Sequence, residues 1–352
     1  MMISRTQPIL LKDCTSRGLH ERLQAIGVTP RLARRLQAAA VANGGHEIPS
    51  KLDEVSPRLL QRVREAAAIP HLETLETAIS PTDGFTRYLF RGDGTEPFEA
   101  VRIPLMHRPH DKKYIVCVSS QVGCALRCGF CATGRMGFLR NLATWEIVDQ
   151  VVKIQKDSEH AVRGVVFMGM GEPMLNYDRV MSAAEILSEP CGMAISAKAI
   201  TISTVGVVPM IERFTEEQRP YRLVVSLTSA DSVRRRALLP IEANHPLPEL
   251  MAALRAYHEV SGRRVTLAWT LISGFNTRPE DARQLAELTD GLPVKLDLID
   301  VNDPTGEFAP PSQSELNTFR DALRAELRMP VVRRYSGGQD VAAGCGMLAG
   351  TL

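Results

Sequence analysis

The chain has 352 residues, of which 44% are hydrophobic and 23% charged, and its formal net charge is only +2. That composition is ordinary for a soluble globular protein, and it provides no overall basic field that would indicate a nucleic-acid partner. No apolar run approaches the roughly 20 residues of a membrane span, and the N-terminus lacks the apolar core of a signal peptide. We therefore expect a cytoplasmic protein without a membrane partner, built as two domains or one large domain with an appendage.

The first 75 residues have the signals of short helices. Thr29-Pro30 and Ser56-Pro57 each combine a capping residue with proline at the first helical position, and Gly44-Gly45 ends the first of these helices. Residues 1–75 are therefore predicted to form a helical accessory domain. Its arginines indicate either a solvated helix face or a surface that contacts RNA, and the pattern leaves both open.

Residues 76–110 have the pattern of a β-rich connector. Two apolar runs, at 85–90 and 98–103, flank a Gly-Asp-Gly turn at 92–94. Such runs on either side of a glycine turn predict a β-hairpin.

Residues 111–352 alternate between short β-branched runs and helical patterns. Six such alternations predict parallel βα units, and six are too few for a closed eight-stranded barrel. We therefore predict an α/β fold: an open (β/α)6 partial TIM barrel whose chemistry lies at the carboxyl ends of the strands. The predicted strands cover 115–119, 165–168, 200–203, 223–227, 265–271 and 296–299, and the predicted helices cover 144–156, 177–188, 208–217, 247–260, 279–290 and 313–327.

Three cysteines follow the first of these strands in a C-x3-C-x2-C spacing: Cys124, Cys128 and Cys131. Three thiolates on one short loop can hold three irons of a 4Fe–4S cluster, which leaves the fourth iron open to another ligand. The amino and carboxylate groups of S-adenosylmethionine (SAM) suit that iron, and an electron from the cluster would cleave the sulfonium to a 5′-deoxyadenosyl radical. The alternatives are three buried apolar cysteines or a zinc site that is short of one ligand.

Other strand ends supply candidate contacts for SAM. Gly171 permits close approach of the backbone to a ligand, and Glu172 can accept a hydrogen bond from the amino group of SAM. The segment that contains both residues also fits a simple strand-to-helix turn. Hydroxyl groups at the third and fourth strand ends can bind the carboxylate or ribose, or else cap the next helices. Asn302, after the sixth strand, can reach the adenine or the ribose. The candidate SAM-binding residues are Gly171, Glu172, Ser203, Ser226, Leu227, Thr228 and Asn302.

Four further cysteines complete the set of seven. Cys345 lies in a glycine-rich loop, which indicates exposure and mobility, and such a thiol is often incidental or redox-labile. Cys117 lies just before the cluster loop, at the same predicted rim, and is a possible partner for Cys345. Cys14 and Cys191 are interpreted as ordinary small residues.

From about residue 10 to its end the chain resembles the RlmN/Cfr family of radical SAM RNA adenosine methylases. The segments that carry this resemblance are 117–142, 166–173 and the loop around Cys345. The resemblance implies that one SAM methylates Cys345 and that a second SAM provides a radical, which takes hydrogen from that methyl group. The resulting carbon radical adds to adenine carbon 2 or carbon 8, in ribosomal RNA, transfer RNA or both, and joins the protein covalently to the RNA.

The resemblance also implies the roles of two further residues. Cys117 attacks the Cys345 sulfur, which releases the product and leaves a Cys117–Cys345 disulfide, as in ordinary thiol exchange. Glu99 aligns with the proposed proton acceptor of the family, a base that removal of the ring proton requires. The implied partners are the RNA and an electron donor such as flavodoxin or ferredoxin, and nothing demands more than a monomer.

The chain departs from the family pattern at two SAM-site segments. It has Ser226-Leu227-Thr228 where members commonly have Ser-Leu-His, and Asp300-Val301-Asn302 replaces a more usual Pro-x-Asn. These changes concern substrate grip and target choice, and they leave the cluster and the methyl carrier untouched. Two other hypotheses stay open: a radical SAM methylase of a small molecule or peptide, and a non-enzymatic iron–sulfur protein that binds RNA or acts as a sensor.

Overall fold

A computed structural model describes residues 7–106 and 112–350 of the chain. The N-terminal part is helical, and two of its helices begin at the predicted capping residues. The side chain of Thr29 accepts a hydrogen bond from the Leu32 amide, and that of Ser56 accepts one from the Leu59 amide, each at 3.2 Å. The elements of this part are β1 Ile9–Leu10, α1 Ser16–Leu23, α2 Pro30–Gln37 with a π-helical continuation at Ala38–Ala42, α3 Pro57–Ala66 and β2 Ala67–Ala68.

Three antiparallel strands follow: β3 Glu73–Ile79, β4 Thr86–Arg91 and β5 Phe98–Leu105. The β4–β5 pair is the predicted hairpin, whereas β3 was not predicted. Most residues of β3 are exposed or half-buried, because it lies at the edge of the sheet, so its sequence lacks a strong apolar pattern. The fourth antiparallel partner is β6, the first barrel strand, so the connector continues directly into the barrel sheet.

The strands from β6 to β14 alternate with helices that cover the sheet. The sheet has ten strands in the linear order β14-β13-β12-β11-β10-β9-β6-β5-β4-β3, and the part from β14 to β6 is parallel. This confirms the open partial barrel. The elements are β6 Lys113–Cys117, β7 Gln121–Gly123, α4 Ala132–Met136, β8 Phe138–Asn141, α5 Thr144–Lys156, β9 Val162–Phe167, α6 Tyr177–Ser188, β10 Ile200–Thr204, α7 Val208–Glu216, β11 Arg222–Ser226, α8 Ser232–Leu238, α9 Leu247–Ser261, β12 Val265–Leu271, α10 Pro279–Leu288, β13 Val294–Asp300, α11 Gln313–Glu326 and β14 Val331–Arg334.

All six predicted parallel strands are present, and β14 adds a seventh. β14 has only four residues, two of them arginine, and lies at the outer edge of the sheet, so its sequence carries no strand signal. Within the described ranges, no helix is both long and apolar enough to cross a membrane.

The N-terminal part is joined to the barrel through a buried ion pair. Lys12 Nζ lies 2.6 Å from Asp149 Oδ1 on α5, and both side chains are almost completely buried. The other carboxylate oxygen of Asp149 accepts a hydrogen bond from the Leu72 amide at 2.6 Å. Burial lowers the pKa of Lys12, and the adjacent carboxylate opposes that shift.

We predict that Asp149→Asn lowers the free energy of unfolding by about 3 kcal/mol or more, because it leaves the buried Lys12 ammonium without a counter-charge. Urea denaturation measures this change. Glu54→Gln is the matched control, since it breaks the exposed Arg31–Glu54 pair, which is worth at most about 1 kcal/mol. Equal losses from the two variants would contradict the anchoring role of the buried pair.

Candidate active site

A cleft opens where the parallel strands end, as the fold predicts. It contains about 990 Å³ of empty volume, part of which is open to solvent. The ends of β9, β10, β11, β12 and β13 line it, together with the cysteine loop, the loops that follow β9, β10 and β13, and the C-terminal segment. The predicted site residues in its wall are Cys124, Cys128, Cys131, Gly171, Glu172, Ser203, Ser226, Asn302 and Cys345.

The three spaced cysteines lie together on one side of the cleft. Cys124 and Cys128 are each 9% exposed, and Cys131 is half-buried at the start of α4. The turn is closed by a hydrogen bond from the Cys131 amide to the Cys128 carbonyl at 3.1 Å. Burial raises the pKa of Cys124 to about 12, and it raises the pKa of Cys128 well above its usual value. Thiols in this setting stay protonated unless a strong cation, such as iron, takes the place of the proton.

Glu172 is a buried carboxylate in the cleft wall. Its two oxygens accept hydrogen bonds from the amides of Met174 and Val205, each at 3.0 Å. Burial nevertheless raises the pKa of Glu172 to about 7, so a cationic ligand in the cleft would favour its charged form. The preceding Gly171 has φ +95°, and a Cβ there would lie 2.5 Å from the Cβ of Gln121, so only glycine fits this approach.

The SAM contacts predicted at the ends of the third and fourth strands fall into two groups. Ser203 and Ser226 line the cleft, and within the described part of the chain neither hydroxyl has a hydrogen-bond partner, so both are available to a ligand. Leu227 and Thr228 are fully buried, and the structure does not bring their side chains to the cleft wall. Thr228 has φ +62°, and its Oγ1 is buried without a hydrogen-bond partner. Their contact with SAM stays a prediction.

Cys117 and Cys345 are close enough for their thiols to interact electrostatically. Cys345 is exposed at the cleft, and Cys117 lies behind the wall at the end of β6 with 7% exposure. Burial raises the pKa of Cys117, and the neighbouring Cys345 thiol raises it further. Desolvation of the sulfur likewise raises the pKa of Cys345, and the Arg334 guanidinium and the Ser336 hydroxyl oppose that shift. Both sulfurs are free thiols.

Glu99 lies outside the cleft wall, in β5, and is 1% exposed. One oxygen pairs with the Arg87 guanidinium at 2.5 Å. The other accepts hydrogen bonds from the amides of Ala349 and Gly350, at 2.7 and 2.9 Å. The structure therefore places this carboxylate against the C-terminal segment.

The sequence did not indicate the role of Arg235, which is fully buried near the cluster loop. Its guanidinium donates to Glu242 and to the carbonyls of Val205, at 2.5 Å, and Leu227, at 3.3 Å. Burial lowers the pKa of Arg235, and both Glu242 and the nearby Cys128 oppose that shift. Because Arg235 is the middle residue of a run of three arginines, its sequence resembles a solvated helix face.

Three cysteines on one loop, beside a cleft at the carboxyl ends of a partial barrel, define the site of a radical SAM enzyme. The model of the Radical SAM superfamily matches residues 118–288. A crystal structure of a radical SAM methyltransferase from Sphaerobacter thermophilus is 36% identical, covers 98% of this chain and 100% of its own, and superposes with a TM-score of 0.89.

Two relatives indicate which kind of radical SAM enzyme this chain resembles. A "Probable RNA methyltransferase" of Myxococcus xanthus is 47% identical over 343 residues, which are 97% of this chain and 94% of the relative. A "Dual-specificity RNA methyltransferase RlmN" of Syntrophobacter fumaroxidans is 38% identical over 345 residues, 97% of this chain and 98% of the relative. The chain therefore belongs to the RlmN/Cfr family of radical SAM methyltransferases.

Members of this class carry a 4Fe–4S cluster and consume SAM, and the residues of the cleft fit both. The cluster takes one thiolate per iron, so its ligands need not converge on a point, and in the described ranges no three Cys, His, Asp or Glu side chains do so. Glu172 and the free hydroxyls of Ser203 and Ser226 line the same cleft as the three cysteines. We expect these groups to hold the amino and carboxylate or ribose parts of SAM.

We predict that Cys128→Ala, prepared with the cluster rebuilt anaerobically, loses most of its bound iron and the visible absorption of the cluster, because one iron lacks its thiolate. Iron analysis and absorption spectra measure this. Cys191→Ala is the matched control and should keep wild-type iron content. Full iron content in Cys128→Ala would show that this thiol is not a ligand.

Proposed function

We propose that this enzyme methylates an adenine ring carbon, carbon 2 or carbon 8, of ribosomal or transfer RNA, with Cys345 as the methyl carrier. The observation that carries the proposal is the shared cleft: Cys345 lines the same cleft as Cys131, and Cys117 is close enough to Cys345 for the two thiols to interact electrostatically. A carrier thiol is useful here because an adenine carbon such as carbon 2 is electron-poor and does not attack a sulfonium methyl group directly.

Cys345 supplies the one-carbon unit in this scheme. Its thiol loses a proton and takes the methyl group of SAM, and S-adenosylhomocysteine leaves. When bound, the cluster would supply an electron to a second SAM, which enables that SAM to remove a hydrogen atom from the methyl group on Cys345. The Cys345 loop then holds the sulfur-bound methylene radical against the adenine ring, and a carbon–carbon bond joins protein and RNA. The adduct loses its unpaired electron, which a bound cluster could take back, together with the ring proton.

Cys117 releases the product. Its thiolate attacks the Cys345 sulfur, a sulfur–sulfur bond forms, and the sulfur–carbon bond of the adduct breaks. The electron pair of that bond passes to the departing carbon, which takes up a proton and becomes the new methyl group. The closeness of the two free thiols supports this step, and reduction of the disulfide would prepare the enzyme for another turnover.

Glu99 is proposed as the acceptor of the ring proton. In the described structure its carboxylate is occupied by Arg87 and by the amides of Ala349 and Gly350. A role as base therefore requires that the C-terminal segment release one carboxylate oxygen when the RNA is bound.

Two observations support RNA as the substrate. The relatives at 47% and 38% identity are named as RNA methyltransferases. The N-terminal helices also present exposed arginines, and within the described ranges Arg34, Arg58 and Arg62 have no acidic partner. Such side chains can contact phosphates and provide a local basic surface, despite the near-neutral net charge.

We predict that Cys117→Ala, isolated from an iron-replete and active preparation, accumulates a covalent protein–RNA adduct, because the attack on the Cys345 sulfur is lost. Denaturing gels show the adduct as a slower band that nuclease treatment removes. The double variant Cys117→Ala/Cys345→Ala and the control Cys191→Ala should both be free of RNA. RNA-free Cys117→Ala from such a preparation would refute the release role.

A further inference from the structure

We propose that Asn302 is a positioning residue that, together with Ser336 and Gln339, fixes the loop bearing Cys345 at the wall of the cleft. We call these three side chains the loop clamp. The inference rests on the proposed function in one respect, the role of Cys345 as methyl carrier. Asn302 also lines the cleft and stays predicted as a contact of SAM, so the clamp is a second role for this side chain.

The amide group of Asn302 is almost fully engaged by the C-terminal segment. Its Nδ2 donates to Ser336 Oγ at 2.7 Å and to the Cys345 carbonyl at 3.3 Å, which uses both N–H groups. Its Oδ1 accepts from Gln339 Nε2 at 2.8 Å, which uses one of two lone pairs. The side chain is buried, with 7% exposure for the residue. A contact with the adenine or ribose through an N–H would therefore have to break one of these bonds.

Two of these side chains, Ser336 and Asn302, bind both backbone polar groups of Cys345. Ser336 Oγ accepts a hydrogen bond from the Cys345 amide at 3.3 Å, while Asn302 donates to the Cys345 carbonyl. A Cβ on the preceding Gly344 would lie 3.1 Å from Asn302 Nδ2, so glycine at this position lets the loop lie against the amide. The clamp thus acts on the backbone of the cysteine itself.

The loop depends on such side-chain bonds because it has little regular structure. Between β14 and residue 350 the only regular element of the described chain is a single 3-10 turn, Gln339–Val341. Gly338 and Ala342, which flank that turn, have left-handed backbone angles, with φ of +69° and +54°. An exposed thiol on such a loop would sample many positions without the clamp.

The position of the Cys345 sulfur matters because its methylation is a nucleophilic displacement at the methyl carbon of SAM. The Cys345 sulfur, having lost its proton to solvent, must approach the methyl carbon opposite the departing sulfur of SAM, and a misplacement of about 1 Å can cost on the order of a hundredfold in rate. Loss of one hydrogen bond of the clamp is expected to slow methyl transfer without lowering the affinity for SAM. The clamp therefore predicts a defect in rate rather than in binding.

Ser336→Ala tests the clamp, because Ser336 does not line the cleft and its hydroxyl bonds Asn302 and the Cys345 amide. The same hydroxyl also lowers the pKa of the Cys345 thiol, so hydrogen exchange rather than the rate of methylation is the deciding readout. We expect amide hydrogen exchange of the 336–350 segment to speed up roughly fivefold, the factor for one net hydrogen bond, and Cys345 methylation to slow by at least as much. The dissociation constant of SAM should stay within about twofold of wild type. Exchange is followed by mass spectrometry on the holoenzyme, and methylation with SAM that carries a deuterated methyl group.

Asn302→Ala and the control Ser314→Ala, on the exposed face of α11, complete the set. Asn302→Ala should share the faster exchange and slower methylation of Ser336→Ala, and Ser314→Ala should match wild type in every readout. Wild-type exchange in Ser336→Ala and Asn302→Ala would overturn the clamp, whatever the SAM dissociation constant of Asn302→Ala. If wild-type enzyme does not methylate Cys345, the proposed function fails, and hydrogen exchange still decides whether the clamp exists.

Discussion

The in-register pairing of the parallel strands is the constraint on which the site depends. Cys117 at the end of β6 pairs with Val166 of β9, and Ile202 of β10 pairs with Phe167. Strands held in this register end at one edge, so loops from distant parts of the sequence meet there. The cysteine loop and the loop of Glu172 are consequently neighbours although more than forty residues separate them in the sequence. The proposed roles of the cysteine loop and of the SAM contacts follow from that convergence.

Buried polar groups then fix the loops at this edge. Arg235 binds the carbonyls of Val205 and Leu227, which follow adjacent strands, and Glu242 balances its charge. Glu172 likewise binds the amide of Val205, on the neighbouring loop. Such groups are costly to bury, and they are tolerated because each is paired or hydrogen-bonded. The cost is consistent with a site whose loops must stay in place while a reactive intermediate is present.

The sequence predicted most of the fold because its signals there are local. Strand Val265–Leu271 has the bounds that its β-branched pattern indicated, and helices α5 and α6 begin and end at the predicted residues. The edge strands β3 and β14 were missed, since exposed edges do not need apolar side chains. The cysteine spacing identified the cluster loop, but the bonds of Asn302 and the burial of Arg235 depend on tertiary contacts that no local pattern reports. Leu227 and Thr228 are buried outside the cleft lining, which no local pattern indicates, and their contact with SAM stays a prediction.

The central claim is that Cys345 carries the methyl group, and mass spectrometry of the Cys345 peptide tests it most directly. Protein with a rebuilt cluster is incubated anaerobically with SAM that carries a deuterated methyl group, and the peptide is then compared with that of unincubated enzyme. The account predicts a labelled methyl group on Cys345 and none on Cys14 or Cys191. An unmodified Cys345, in enzyme that still cleaves SAM to 5′-deoxyadenosine, would contradict it and leave a radical enzyme of another kind.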